Sequence, residues 1–288
     1  MINWDAEIVQ AIARRRSVVM IGSGVSRNSV NKDGKRPPTW EGFLNDASKS
    51  VGSPAHIETL IAQRDFLTAC ELLKRKIKND IFVSLVQREY QQAGYQAAPI
   101  HKHIYDLDSA IVASPNFDHI YDTYAATASN GTVVVKDHTS SDIVSYLGGG
   151  EIRLLLKTHG SANNPNKLIF TRKDYAEART KHVLFYEILK SLVLTHTFLF
   201  IGCGIDDPDI RALFEDVQFA HERMPVHYMT TPIGEVDEEV LNVAAETMKV
   251  KFISYSPDNG HEELTASLAD LVNLVDTARD GLSGDRKW

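Results

Sequence analysis

Hydrophobic residues fall into two patterns along this chain. Short unbroken apolar runs end in small or polar residues, and longer stretches repeat an apolar residue every three or four positions. The first pattern predicts strands covered on both faces, as in a parallel sheet; the second predicts amphipathic helices that cover it. Val18-Val19-Met20-Ile21 runs into Gly22-Ser23-Gly24-Val25-Ser26, and Ala110-Ile111-Val112-Ala113 into Ser114-Pro115-Asn116-Phe117-Asp118. The run at 152–157 ends at Thr158-His159-Gly160-Ser161, and Phe198-Leu199-Phe200-Ile201 enters Gly202-Cys203-Gly204. Further strands are expected at 132–136, 168–171, 226–229 and 251–254.

Helical periodicity covers residues 5–16, with Asp5 and Glu7 at the start and Arg14-Arg15-Arg16 at the end, each sign where the helix dipole favours it. Thr39 reads as an N-cap after a polar surface loop at 31–38. The pattern then stays helical to about residue 107, with Leu67, Leu72, Leu73 and Ile77 in one run, Ile81, Phe82, Leu85 and Val86 in another, and a break at Asn79-Asp80. Helices are also expected at 118–128, 182–195, 235–248 and 262–278, and Gly148-Gly149-Gly150 as a flexible turn. The expected fold is α/β: a single domain over 1–288 with a doubly wound, mostly parallel Rossmann-like sheet and a helical subdomain inserted at about 45–100.

Composition narrows the class. The chain is 43% hydrophobic and 24% charged, with a net charge of −7, which argues against a broad basic face for nucleic acid or anionic lipid. Two cysteines, Cys70 and Cys203, allow neither a disulfide framework nor a four-thiolate zinc site. The charged start and the lack of a membrane-length apolar run predict a cytoplasmic protein without membrane association.

The candidate chemistry gathers at the strand ends. Gly22 and Gly24 let the backbone approach something closely, either a phosphate or simply the next element of a strand-end turn; Arg27 stands where a third glycine of the dinucleotide fingerprint would be. Asn116 and Asp118 leave an apolar strand where open α/β sheets bind ligands, and Asp118 has a second reading as a helix cap. His159, at a strand end and followed by glycine, suits a general base, with a structural histidine as the alternative. His101 and His103 sit two apart on a helix and point in different directions, so a structural role at the helix start after Pro99 is expected rather than a metal. Asp206-Asp207-Pro208-Asp209 opens a helix, with capping and ligand readings both available.

Taken together and in this order, the motifs resemble the sirtuin family. Gly22-Ser23-Gly24-Val25-Ser26 is similar to its Gly-Ala-Gly-x-Ser turn, Ser114-Pro115-Asn116-Phe117-Asp118 to its Thr-x-Asn-x-Asp motif, and Thr158-His159-Gly160 to its His-Gly motif. Segments 168–175 and 198–209 look more like the bacterial antiphage-defence branch. Ser23 stands for Ala, Ser114 and Pro115 for the usual Thr and its polar neighbour, and Gly204 where that branch often has Ser. The zinc cysteines of the deacylases are absent.

The resemblance implies an NAD glycohydrolase that yields nicotinamide and ADP-ribose, with NAD as substrate and no metal. Gly22, Ser23, Gly24 and Ser26 would cradle the diphosphate, Asn116 and Asp118 hold the nicotinamide ribose and carboxamide, His159 act as base, and Gly202 and Gly204 line the adenosine side. It implies antiviral defence by NAD depletion, with activity held back until a trigger acts through a partner protein encoded nearby or through assembly. A homo-oligomer is expected, through terminal or inserted helices such as the face Leu264, Leu268, Leu271 and Val275, which has sheet cover as its alternative. Two other classes remain open: a non-catalytic NAD or ADP-ribose-binding scaffold for a defence partner, and an NAD-dependent protein deacylase.

Overall fold

The computed structural model describes residues 1–148, 152–204, 211–215, 217 and 224–285. Its strands are β1 (Ser17–Ile21), β2 (Ile111–Ser114), β3 (Val134–Asp137), β4 (Leu154–Lys157), β5 (Thr197–Ile201), β6 (His227–Pro232) and β7 (Val250–Tyr255). They form one seven-stranded sheet in the order β3-β4-β2-β1-β5-β6-β7, and every pairing is parallel. From β1 the chain adds β2, moves out to the edge strand β3, returns to place β4 between β3 and β2, then crosses back to β5 and builds the other way. The reversal falls between β1 and β5, and such a switch point is where open α/β sheets open a crevice for ligands.

The unbroken apolar runs follow from burial on both faces. Val19 and Ile21 of β1, Val112 of β2, Leu155 of β4 and Leu199 and Ile201 of β5 join one core. Val18, Met20, Ile111, Ala113, Leu154, Leu156, Phe198 and Phe200 join the opposite one. The first core is closed by α1 (Ala6–Ala13), α7 (Pro99–Asp106), α8 (Ile120–Ala128) and the C-terminal α12 (Asp258–Asp285). The second is closed by α10 (Val183–Thr195) and α11 (Glu238–Met248).

A third core lies beside the sheet, built from α3 (Trp40–Lys49), α4 (Ala55–Ala62), α5 (Phe66–Lys76) and α6 (Asn79–Val86). Phe117, Ala162, Leu168 and Phe170, from loops at the C-terminal edge of the sheet, pack into it. Phe170 sits at its centre, 5.5 Å from Phe43 edge-on and 5.3 Å from Phe82. The helical stretch begins at Trp40, and α7 returns to the sheet layer through Ile100 and Ile104.

Several local expectations are corrected. Residues 168–171 form no strand: Leu168 and Phe170 are apolar because they fill the third core, and Ile169 because it packs on Tyr175 and Ala178. The break between the two inserted runs falls at Ile77-Lys78, and Asn79 and Asp80 open α6. The basic triplet lies beyond the last turn of α1, where Arg15, at φ 54°, pairs with Asp108 at 2.7 Å. Leu264, Leu268, Leu271 and Val275 are buried against the sheet, so the face expected to drive assembly is already covered. Asp206, Asp207, Pro208 and Asp209, together with Gly149 and Gly150, lie outside the described residues. Two readings stand: Thr39 caps α3 by accepting from the Gly42 N–H, and His101 accepts the Ala98 N–H at 3.1 Å on Nδ1, at the start of α7. Among the described residues no helix is long and apolar enough to cross a membrane.

His227 ties β6 to β5. It is fully buried, its Nδ1 accepts the Phe198 N–H at 3.0 Å, and its ring stands edge-on to Phe214. Burial, with the Lys249 charge adding to it, pushes its pKa down to about 3, and burial takes His138 down to about 4. The unfolded chain therefore binds protons on these histidines that the native state refuses, between about pH 6.5 and those values. Stability is expected to rise with pH across that window. Denaturant titrations at pH 4.5, 5.5 and 7 measure it, and His227→Gln should flatten the dependence.

Candidate active site

The two glycine turns at the switch point are packed backbone against backbone. The Gly22 N–H donates to Ile201 O and the Gly24 N–H to Gly202 O, both at 2.9 Å, extending the β1–β5 ladder past the strands. A Cβ on Gly22 would stand 2.3 Å from Gly202 O, and one on Gly24 2.9 Å from Gly202 Cα. A Cβ on Gly202, whose φ is +61°, would stand 2.7 Å from the Val25 N. These glycines are required because the turns touch each other. The amide protons of Gly22 and Gly24 are thereby committed within the protein. Of the other residues of these turns, Ser23 and Gly204 are exposed and Ser26 is buried.

Asn116, at the end of β2, reaches across to the first turn. Its Nδ2 donates to Gly22 O at 2.8 Å and to Ser26 Oγ at 3.0 Å. The Ser26 hydroxyl donates in turn to Asp118 Oδ2 at 2.7 Å, and Asp118 Oδ1 accepts the Ile120 N–H at 3.0 Å. Asp118, one residue before the His119 N-cap, thus both holds the first N–H of α8 and anchors this chain. With both amide protons committed, Asn116 offers a ligand its amide oxygen, an acceptor. It is half-buried, whereas Ser26 and Asp118 are each 5% exposed.

His159 follows the neighbouring strand, where the Thr158 N–H donates to Ser114 O and extends the β2–β4 ladder. Its ring stands edge-on to Tyr175 of α9 (Arg172–Lys181) at 5.1 Å, with the Tyr175 hydroxyl 3.5 Å from Nδ1. It lines a recess with Met20, Phe185, Leu189 and Phe198, so its surroundings are largely apolar. The structure therefore joins Gly22, Gly24, Ser26, Asn116, Asp118 and Gly202 directly, and sets His159 at the adjoining strand end.

A second polar chain at this edge was not singled out from the sequence. Lys157, the last residue of β4, is 2% exposed; its ammonium donates to Asp118 O at 2.7 Å and pairs with Asp122 Oδ1 at 3.3 Å. Asp122 Oδ2 lies 2.9 Å from His119 Nδ1, and His119 Nε2 lies 3.0 Å from Ser161 Oγ. Burial raises the Asp122 pKa, but the Lys157 charge and the His119 contact outweigh it and hold the carboxyl below its ordinary value. The available signals were a lysine closing the run Leu154-Leu155-Leu156-Lys157, and an aspartate three residues after His119 at helical spacing. Among the described residues no group of His, Cys, Asp and Glu could hold a metal ion.

A parallel sheet with paired glycine turns at its switch point defines an open, Rossmann-like α/β protein. The family model for the SIR2-like domain matches residues 110–253, half of the chain, and the chain belongs to that family. It is 24% identical over 227 residues to the NAD(+) hydrolase ThsA of Enterococcus faecium, covering 76% of this chain and 44% of that protein. It is 24% identical over 215 residues to Defense-associated sirtuin 2 of Bacillus subtilis, covering 74% of this chain and 20% of that one. With the NAD(+) hydrolase ThsA of Cytobacillus dafuensis the identity is 22% over 215 residues, covering 74% and 40%. The chain thus spans less than half the length of these relatives.

Two substitutions test the site's construction. Gly22→Ala must part the two turns and is expected to cost about 1–3 kcal/mol, while Gly281→Ala, in α12 with nothing within 4 Å of the new methyl, should leave the melting temperature unchanged or raise it. Asp122→Asn strands a buried ammonium and is expected to cost about 3–5 kcal/mol. The depressed pKa makes the Asp122 contribution complete above about pH 4, so the two proteins' denaturation curves should converge as acid protonates the wild-type carboxyl.

Proposed function

We propose that this chain is an NAD glycohydrolase that breaks the bond between nicotinamide and ribose, releasing nicotinamide and ADP-ribose. The observation that carries the reading is the Asn116 side chain, fixed at the switch point with only an acceptor left to offer, beside the strand end that bears His159. Membership of the SIR2-like family and the likeness to proteins named NAD(+) hydrolase support it.

Breaking that bond leaves the nicotinamide with the electron pair and an electron-poor ribose carbon, which a water must meet. Asn116 Oδ1 accepts a hydrogen bond from that water or from a ribose hydroxyl and so sets its position; His159 takes the water's proton as the carbon–oxygen bond forms. Ser26 and Asp118 act through Asn116 by holding its amide. The exposed Ser23, with Gly22 and Gly24, forms the turn beside the diphosphate, and Gly202 and Gly204 line the adenosine side. The likeness to Defense-associated sirtuin 2 supports a role in antiviral defence, in which NAD in the cytoplasm is depleted once a partner protein or assembly triggers the enzyme.

The test is nicotinamide release from NAD by the purified protein, alone and with the product of the neighbouring gene. His159→Ala should lower turnover by about 10²–10⁴-fold while NAD still binds in a calorimetric titration. Asn116→Ala should lower it by about 10²-fold through misplacement and weaken binding as well. Parental turnover in His159→Ala overturns the base assignment, and NAD binding without release under both conditions would leave the chain a binding scaffold.

A further inference from the structure

We propose that Ser161, His119 and Asp122 form a nucleophilic triad at the C-terminal edge of the sheet, which gives the chain an acyl-transfer activity toward carboxylic esters, separate from NAD cleavage. The geometry is that of a hydroxyl, an imidazole and a carboxylate in line: Ser161 Oγ is 3.0 Å from His119 Nε2, and His119 Nδ1 is 2.9 Å from Asp122 Oδ2. Such a constellation is recognised by distances and roles rather than by chain order.

The proton positions follow from the contacts. Asp122 is paired with Lys157 and ionised, so its Oδ2 can only accept, and the proton between it and His119 belongs to Nδ1. In the neutral imidazole Nε2 is then the acceptor, and the Ser161 hydroxyl must be the donor. Ser161 Oγ also accepts the Asn163 N–H at 3.2 Å, which occupies one lone pair and leaves the other for attack.

Placement suits the role. Ser161 follows β4 on a tight turn in which Gly160 takes φ +83°, so the hydroxyl stands off the end of a parallel strand, as a nucleophile on a strand-end elbow does. Exposure grades along the chain of contacts: Ser161 is half-exposed, the His119 side chain is 22% and Asp122 12% exposed, and Lys157 closes the buried end at 2%. The loops bearing Ser161 and His119 are already tied by the Ala162 N–H to Phe117 O bond at 2.9 Å, so the side chains are not needed to dock them. In the reaction Ser161 Oγ bonds to the ester carbonyl carbon while its proton passes to His119 Nε2. The carbon–oxygen bond to the alcohol breaks and the alcohol leaves with that proton. Water then repeats the exchange, releasing the acid and restoring Ser161.

A fluorophosphonate probe on the intact protein tests this, read by whole-protein mass and peptide mapping, with p-nitrophenyl acetate hydrolysis in parallel. One adduct per chain is expected, on Ser161, with ester turnover lost in Ser161→Ala. His119→Ala should slow labelling by about 10²-fold or more, and wild-type labelling should rise with pH through one ionisation, a readout that needs no variant. Absence of an adduct on Ser161, or labelling whose rate ignores pH, overturns the proposal.

Discussion

Two peptide backbones, that of Gly22 to Gly24 and that of Gly202, lie directly against each other at the switch point. No side chain fits between them, since even a methyl on Gly22 would reach within 2.3 Å of a carbonyl oxygen. The contact prolongs the β1–β5 pairing beyond Ile21 and Ile201, and so fixes how far the central strands run before the chain turns away. The strands on either side are registered on these two, so the position of every strand end depends on the glycines. The same contact spends the amide protons of Gly22 and Gly24, which a glycine-rich turn would otherwise present.

Donor accounting shapes what those side chains do. Asn116 has two amide protons and places both inside the protein, on Gly22 O and Ser26 Oγ. Ser26 must then turn its own proton toward Asp118, whose second oxygen is held by the helix start. Each group in the series has one remaining choice, which removes rotational freedom that binding would otherwise have to freeze. A site arranged this way is ordered before its ligand arrives, and its loss on truncating Ser26 or Asp118 would be felt through Asn116.

The strands and the strand-end residues were legible because burial on both faces writes continuous apolar runs, and because small residues must follow where a chain turns tightly. Val18 to Ile21 and Phe198 to Ile201 are visible for that reason, though their mutual pairing is not: a run of four apolar residues carries no mark of its neighbour. The same lack of a mark made Leu168 to Phe170 look like a strand, when their burial comes from the inserted helices. Arg15 read as a dipole partner because its real partner, Asp108, is 93 residues away. Asp118 kept two readings open, and its two oxygens go to the start of the helix and to Ser26. The His119, Asp122, Lys157 and Ser161 chain was invisible because three segments supply it and each residue alone has an ordinary explanation.

The buried Lys157–Asp122 pair is poorly explained as a source of stability. Removing an ammonium and a carboxylate from water costs several kcal/mol each, and well-packed apolar substitutes are often as stable or more so. What the pair does supply is orientation. Lys157 holds the main-chain oxygen of Asp118 and one carboxylate oxygen of Asp122 at once, so it fixes α8 against the end of β4. With Oδ1 held from beneath, Oδ2 of Asp122 is aimed at His119, while the Asp118 side chain is left facing Ser26. One buried cation therefore sets the direction of two carboxylates, one serving the Asn116 network and the other the Ser161 network. The two polar chains meet at the start of α8, which makes the register between that helix and β4 the quantity on which both depend.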